Sequence, residues 1–356
     1  MSGRCPFLSL LHLNEKMGAG EMKKVFAIFA GILLILALSA CGKKSQDEVV
    51  SDLNEKVDEM KGYKVNAVMT LKMGTDPQVY DVEIWHKNPD FYKVNLKNSE
   101  KEQSQMILRN DDGVYVLTPA LNKSFKFQSE WPENSSQAYL YESLVKDIMD
   151  DATAGFKETD KHYVFTTKTR YQNNKMLPYQ EITLTKRDLK PVSVKVMDPD
   201  QNALVTVKFS KVNFNAAFDK DAFDMKKNMA RAKMEMPAMA GMKDDNFSVR
   251  YPEGIEGATL AEEKEIAIEN GRRVVLTYQG ERNFTLVQEK REVRETTVLS
   301  DLVNGEPVDL GFTFGAMTAN TIRWTYEGVD YTLASQDLTE EELVTIARSV
   351  NGTAVK

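Results

Sequence analysis

The apolar positions are spaced for a helix first and for strands afterwards. Ser45-Gln46-Asp47-Glu48 has the spacing of a capping box. Val49, Leu53, Val57 and Met60 follow at helical spacing, which predicts a short amphipathic helix ending at Gly62. The period then drops to two. Tyr63, Val65, Ala67, Met69, Leu71 and Met73 make one apolar face of a long strand. Tyr80, Val82 and Ile84 repeat the pattern, and so do Tyr92, Val94 and Leu96. Two apolar runs, Met106 to Leu108 and Val114 to Leu117, flank "RNDDG", which reads as a hairpin turn. Phe125 and Phe127 add a short strand. "SSQAYLYESLVKDIMDD" is helical, with Tyr141, Leu144, Val145 and Ile148 on one face. Strands return at 162–170, 178–186, 191–198 and 203–212, and "NFNAAFDKDAFDM" closes the region near residue 225. Many strands with few helices predict a strongly curved antiparallel sheet with helices on one face.

Residues 226–245, "KKNMARAKMEMPAMAGMKDD", break the strand pattern and contain no β-branched residue, so they read as a Met-rich linker. Beyond them, residues 246–356 read as a smaller α+β unit. Strands are expected at "RRVVLTYQG", "NFTLVQEK", "VDLGFTFG", "TIRWTYEG" and "VDYTLAS", with a Glu327-Gly328 turn between the last two. Thr339 and Glu342 make a second capping box, ahead of Leu343, Ile346, Ala347 and Val350 on one helix face.

The region before Ser45 has a different logic. Met22 is followed by Lys23, Lys24 and an uncharged run to Ala40, the layout of a secretory signal peptide. The run is short against the ~20 apolar residues of a membrane span. Leu38-Ser39-Ala40-Cys41 matches the lipobox of bacterial lipoproteins. That match implies an S-diacylglycerol group on the Cys41 thiol and cleavage just before it; two acyl chains would hold the protein on a membrane surface. The alternatives are a plain transmembrane anchor and an ordinary signal peptide with a chance cysteine. Residues 1–21 do not fit a signal peptide, and the expectation is a mis-called start, with translation beginning at Met22 and the signal peptide spanning 22–40.

Composition narrows the function. The chain has 46 basic and 53 acidic side chains. Loss of residues 1–40 removes four of the former and two of the latter, so the charge of −7 becomes −9. No basic block follows Cys41, which argues against nucleic acid as a partner. The other of the two cysteines, Cys5, lies in the removed segment, which excludes a disulfide, a cysteine nucleophile and a zinc–cysteine site from the exported part.

The order of an amphipathic helix, long antiparallel strands, one inserted helix, more hairpins and a closing Phe218, Asp219 and Phe223 resembles the outer-membrane lipoprotein carrier (LolA-like) family. With the lipobox in front and a second domain behind, it looks most like the YdcC-type sporulation lipoproteins. The C-terminal unit resembles the DUF4367-type domain of exported Gram-positive proteins. The resemblance implies an α+β fold: over 41–225 an antiparallel half-barrel with helices on its concave side, able to hold acyl chains, then the small α+β domain. It also implies a non-catalytic binder of lipid or lipoprotein acyl chains, tethered by its own anchor to the extracytoplasmic face of the cell membrane. RseB-like regulators pair a similar half-barrel with a second domain. They suggest the alternative of an envelope sensor that binds an anti-sigma factor or another membrane protein.

The residues expected to line an acyl cavity are Met69, Leu71, Met73, Ile84, Val94, Leu96 and Ile107. Alternation says which side they face and leaves open whether that side is hollow or packed. Other chemistry is sparse. His86 and His162 sit in separate strand regions with no nucleophile and acid beside them, and both read as ordinary strand or turn residues. Asp198, Asp200 and Asn202 begin an EF-hand spacing, but Ala203 and Phe209 stand where Gly and Glu are required, so a hairpin turn fits better. Met234, Met236, Met239 and Met242 could in principle bind Cu(I); without His or Cys they read as an adaptable apolar strap. Asp111-Asp112 and Glu341-Glu342 fall on a turn and a helix start, where acids serve local structure. No metal and no cofactor other than the lipid on Cys41 is expected.

Overall fold

The computed structural model describes residues 43–350 apart from 73–76, 99–102, 128, 133–135, 172–174, 236–247, 254, 269–270, 292–298, 304 and 311. The chain divides into two compact units, 1–49 and 50–356. In the first, the expected capping box forms: Ser45 N donates to Glu48 Oε2 at 2.7 Å and Glu48 N donates to Ser45 Oγ at 3.3 Å. It starts α1 (Gln46–Glu59). Cys41 and the lipobox residues Leu38, Ser39 and Ala40 lie outside the described residues.

Residues 50–356 carry two mostly antiparallel sheets. The strands are β1 (Gly62–Leu71), β2 (Gln78–Lys87), β3 (Phe91–Asn98), β4 (Gln103–Asn110), β5 (Gly113–Thr118) and β6 (Lys123–Phe127). After α2 (Tyr141–Asp150) come β7 (Gly155–Glu158), β8 (His162–Lys168), β9 (Tyr179–Thr185), β10 (Pro191–Met197) and β11 (Ala203–Phe214). Helix α3 (Met225–Glu235) precedes β12 (Ala258–Ile268), β13 (Gly271–Gly280), β14 (Phe284–Arg291) and β15 (Leu299–Val303). Then follow β16 (Glu306–Asp309), β17 (Phe314–Thr318), β18 (Thr321–Tyr326), β19 (Val329–Ala334) and α4 (Glu340–Ser349).

The larger sheet has twelve strands in the order β15-β6-β5-β4-β3-β2-β1-β11-β10-β9-β8-β7; the smaller has seven, β12-β13-β14-β19-β18-β17-β16. β15 and β7 end the larger sheet without pairing to each other, so it stays unclosed, as a half-barrel does. β15 leaves its own sequence neighbourhood and pairs with β6, the one parallel pairing among the described strands. The fold is therefore α+β, as the resemblance implied.

Three expectations change. Residues 225–235 form α3, where a linker was expected. Met225, Met229 and Ala232 pack with Phe218, Ala222 and Phe223 on Met106, Leu108, Tyr115 and Leu117. These strand residues alternate with Ile107 and Val116, which are also buried, so the sheet is apolar on both faces here. Unbroken apolar runs at 106–108 and 114–117 are the sequence trace of such two-sided burial. Helix α3 thus packs on the face of β4 and β5 opposite Ile107 and Val116. On the α3 face, Trp85 is flanked by Lys64 Nζ at 4.4 Å and Lys93 Nζ at 3.1 Å from its ring centre. Second, "VDLGFTFG" is split between β16 and β17, which pair with Val308 opposite Gly315. Third, β12 went unread because its residues are mostly exposed and Glu262, Glu263, Lys264 and Glu265 interrupt its centre, with no alternation to reveal it.

Local signals read correctly are confirmed by geometry. Glu327 and Gly328 have φ of 50° and 76°, a type I′ turn joining β18 to β19. Thr339 and Glu342 make the capping box of α4. In "RNDDG" the turn residues are Asp111 and Asp112, closed by Asp112 N donating to Asn110 Oδ1 at 2.9 Å. Gly113 is needed for close approach: a Cβ there would stand 2.9 Å from Phe127 O.

Candidate functional site

Register places the expected acyl-site residues on one face of the larger sheet. Directly paired residues of antiparallel strands share a face. Val65–Ile84–Val94–Ile107–Val116 form one row across β1 to β5, and Ala67–Val82–Leu96–Gln105 the next. Met69 pairs with Tyr80 on one side and Val207 on the other; the row continues through Val194 and Ile182 to Phe165. Leu71 lies beside Val205. Met73 lies outside the described residues.

This inner face is covered. Met69, Leu71 and Leu96 are buried, and Ile84, Val94 and Ile107 have 0% exposure. A side chain lining a void large enough for water keeps accessible surface, so the centre of the face is packed here.

Helix α2 covers one end. Tyr63, in the row Tyr63–His86–Tyr92–Arg109, donates its hydroxyl to Glu142 Oε2 at 2.8 Å and accepts from Tyr141 N at 3.3 Å. His86 Nε2 is 3.1 Å from Glu142 Oε1. Burial pushes the Glu142 carboxyl up to about 7, although its backbone and Tyr63 hydrogen bonds pull the other way. Burial also drives His86 down to about 4, against a backbone hydrogen bond that raises it. Farther along α2, the fully buried Asp147 accepts from Ser136 Oγ at 2.9 Å, Gln180 Nε2 at 2.6 Å and Arg170 Nε at 2.5 Å. Desolvation raises the Asp147 pKa, and the Arg170 charge opposes it.

The smaller sheet covers the other end. Tyr80 donates its hydroxyl to Phe312 O at 2.9 Å. Gln105 donates from Nε2 to Phe314 O at 3.2 Å, and its Oε1 accepts from Phe314 N at 2.6 Å and Thr313 Oγ1 at 3.2 Å. At the β6 edge, Lys123 pairs with Asp330 and Ser129 with Glu306. Across the sheet, between β8 and β9, Lys175 Nζ reaches Glu341 at 3.3 Å and Arg348 Nη1 lies 3.8 Å from Met176 Sδ. The C-terminal segments of the same compact unit therefore touch both arms of the half-barrel.

A face of this kind can hold or exclude a hydrocarbon. No group of acidic, His or Cys side chains suited to a metal occurs among the described residues. Asp198 instead takes Asn202 N at 2.8 Å and Nδ2 at 3.0 Å, which closes a turn. His162 lies in β8 with Thr185 opposite. His86 is the residue that local reading missed: Glu142 is far away in sequence, and only the fold joins them. One signal was present. His86 and Gln105 occupy apolar-phase positions of their strands, where an unexplained polar residue needs a partner.

The comparison with known sequences decides the family. The family described as Sporulation protein YdcC-like matches residues 22–223. Sporulation protein YdcC of Bacillus subtilis (strain 168) is 52% identical over 340 residues, covering 94% of this chain and 100% of that protein. The chain belongs to the sporulation protein YdcC-like family. Solved structures similar to this YdcC-like chain include the Pseudomonas aeruginosa MucA/MucB complex, at 16% identity and TM-score 0.32, covering 85% of this chain and 96% of that one. Another is a putative outer membrane lipoprotein-sorting protein domain from Vibrio parahaemolyticus, at 13% identity and TM-score 0.31, covering 52% and 99%. Among the described residues of the YdcC-like chain, no helix is long and apolar enough to cross a membrane.

Proposed function

We propose that this YdcC-like protein is a non-catalytic acyl-chain binder that works in sporulation at the extracytoplasmic face of a membrane, anchored there by a lipid on Cys41. The observation that carries the reading is the pair of apolar rows across the inner face. One runs from Met69 through Val207, Val194 and Ile182 to Phe165 on one arm, and the second from Val65 through Ile84, Val94 and Ile107 on the other. A helix and a second domain close this face, and parting either from the sheet would uncover a hydrocarbon-compatible groove. The ligand is a lipid or the acyl group of another lipoprotein.

A second reading is favoured by β15. The chain's own five-residue β15 pairs in parallel with β6, which supports strand pairing of a partner's extended segment at this end of the sheet. A membrane-protein partner, such as an anti-sigma factor, would then be the ligand, and the protein a sensor.

The test is native mass spectrometry of residues 45–356, gently purified, with lipid extraction of the same sample. A stoichiometric lipid, diminished when Leu71 or Leu96 becomes charged in a variant that still folds, supports the acyl reading. A clean apo mass that stays unchanged with added lipid or acylated peptide moves the sensor reading to first place. Cys41→Ser should move the full-length protein from the membrane to the soluble fraction; continued membrane retention would reject the anchor.

A further inference from the structure

We infer that the C-terminal domain is a removable stopper of the half-barrel, whose segment 312–314 seals the inner face until an acyl chain takes its place. This inference rests on the acyl-binding reading and names how that site is regulated.

The seal is built from main chain. The hydrogen bonds between Tyr80 or Gln105 and segment 312–314 go to its backbone, apart from the one Gln105 accepts from Thr313 Oγ1. The Phe312 side chain turns away into the C-terminal domain's own core, edge-on to Tyr326 with ring centres 4.7 Å apart. Leu310 is buried in the same cluster. The domain thus keeps its core when the seal opens, and the backbone it uncovers can be rehydrated. Exchanging those hydrogen bonds for bonds to water then changes the balance little.

The half-barrel side is different. Tyr80 and Gln105 are rim residues of the rows that contain Met69 and Leu96. Uncovering those rows exposes apolar surface, which water disfavours and a hydrocarbon chain satisfies. The two sides of one contact therefore prefer different replacements, water and acyl chain. This is the requirement for a ligand to displace a built-in cover. Lys123–Asp330, Ser129–Glu306 and the β15–β6 pairing lie at the sheet edge, away from Tyr80. They can keep the domain attached while the rim opens.

The coupling must be reciprocal. We would compare the full chain carrying Cys41→Ser with the same chain also carrying Tyr80→Phe and Gln105→Ala, and titrate both with cis-parinaric acid, an 18-carbon fluorescent fatty acid. Loosening the seal should tighten binding by about tenfold or more. In the chain with the seal intact, saturating palmitate should speed hydrogen exchange at the Phe314 amide, which now donates to Gln105. That second measurement needs no loosened variant, so poor folding of the double variant cannot shield the idea. Equal affinities together with unchanged Phe314 exchange, in a protein that does bind the probe, would overturn the stopper and leave acyl binding intact. No binding by either chain would overturn both.

Discussion

His86 Nε2 stands 3.1 Å from Glu142 Oε1, and burial pushes both groups toward their neutral forms. The Glu142 carboxyl is raised from 4.5 to about 7, so between those values the folded protein holds a proton that the unfolded chain has lost. His86 is lowered from 6.5 to about 4, so between those values the unfolded chain holds a proton that the folded protein lacks. The opposing slopes nearly cancel from pH 4.5 to 6.5. Single substitutions should uncover them. Glu142→Gln leaves His86 alone, and stability should rise as pH goes from 4 to 6.5. His86→Gln leaves Glu142 alone, and stability should fall as pH goes from 4.5 to 7. Each swing is at most on the order of 3 kcal/mol, and smaller for Glu142, whose side chain keeps 19% exposure. Urea midpoints measured across pH 4 to 7.5 read this directly. Parallel curves for both variants and the parent would show that the pair is not proton-linked.

The packing of the inner face makes a second prediction. Ile84 and Ile107 have 0% exposure in one row of the sheet. If the face is a filled core in the unliganded protein, Ile84→Ala should cost ~2–5 kcal/mol through lost transfer energy and a residual cavity. A cost below ~1 kcal/mol by urea denaturation would mean that the face is already hollow.

These two cases mark how far the sequence could be read. Alternation at Tyr80, Val82 and Ile84 identified the face, because a period of two is a local property of the backbone. It could not report what covers the face, because α2 and segment 312–314 meet it across long stretches of chain. His86 was legible as a polar residue in an apolar phase; Glu142, its reason for being there, was not. The capping boxes at Ser45 and Thr339 were legible because all their atoms lie within one helical turn. Helix α3 was missed for the opposite reason. Its sequence is polar and Met-rich, and only the apolar outer face of β4 and β5 makes its fold worthwhile.

Helix α3 gives a third prediction. Met229 is 1% exposed against Ala222 and Phe223, whereas Met234 on the same helix is 83% exposed. Met229→Ala should cost ~2–5 kcal/mol, and Met234→Ala should stay within about 0.5 kcal/mol. Thermal unfolding of the pair separates a structural helix from a linker: equal midpoints would restore the linker.

Asp147 gives the last. Its side chain has no exposed surface and takes hydrogen bonds from Ser136, Arg170 and Gln180, which come from the segment before α2, the chain after β8, and β9. Removing one partner of a buried pair leaves the other uncompensated, which costs ~3–5 kcal/mol. Arg170 keeps 23% exposure and can turn its charge to water, so Asp147→Ala should fall near the lower bound. Asp147→Asn preserves shape and two of the contacts and should cost less. The loss should be local first, because Asp147 ties α2 to the far arm of the sheet while Tyr63 and Glu142 tie it to the near arm. Hydrogen exchange in α2 should therefore accelerate in Asp147→Ala before the amides of β1 and β2 respond. Uniform acceleration across the sheet would mean that α2 is an inseparable part of the core and cannot serve as a cover that lifts.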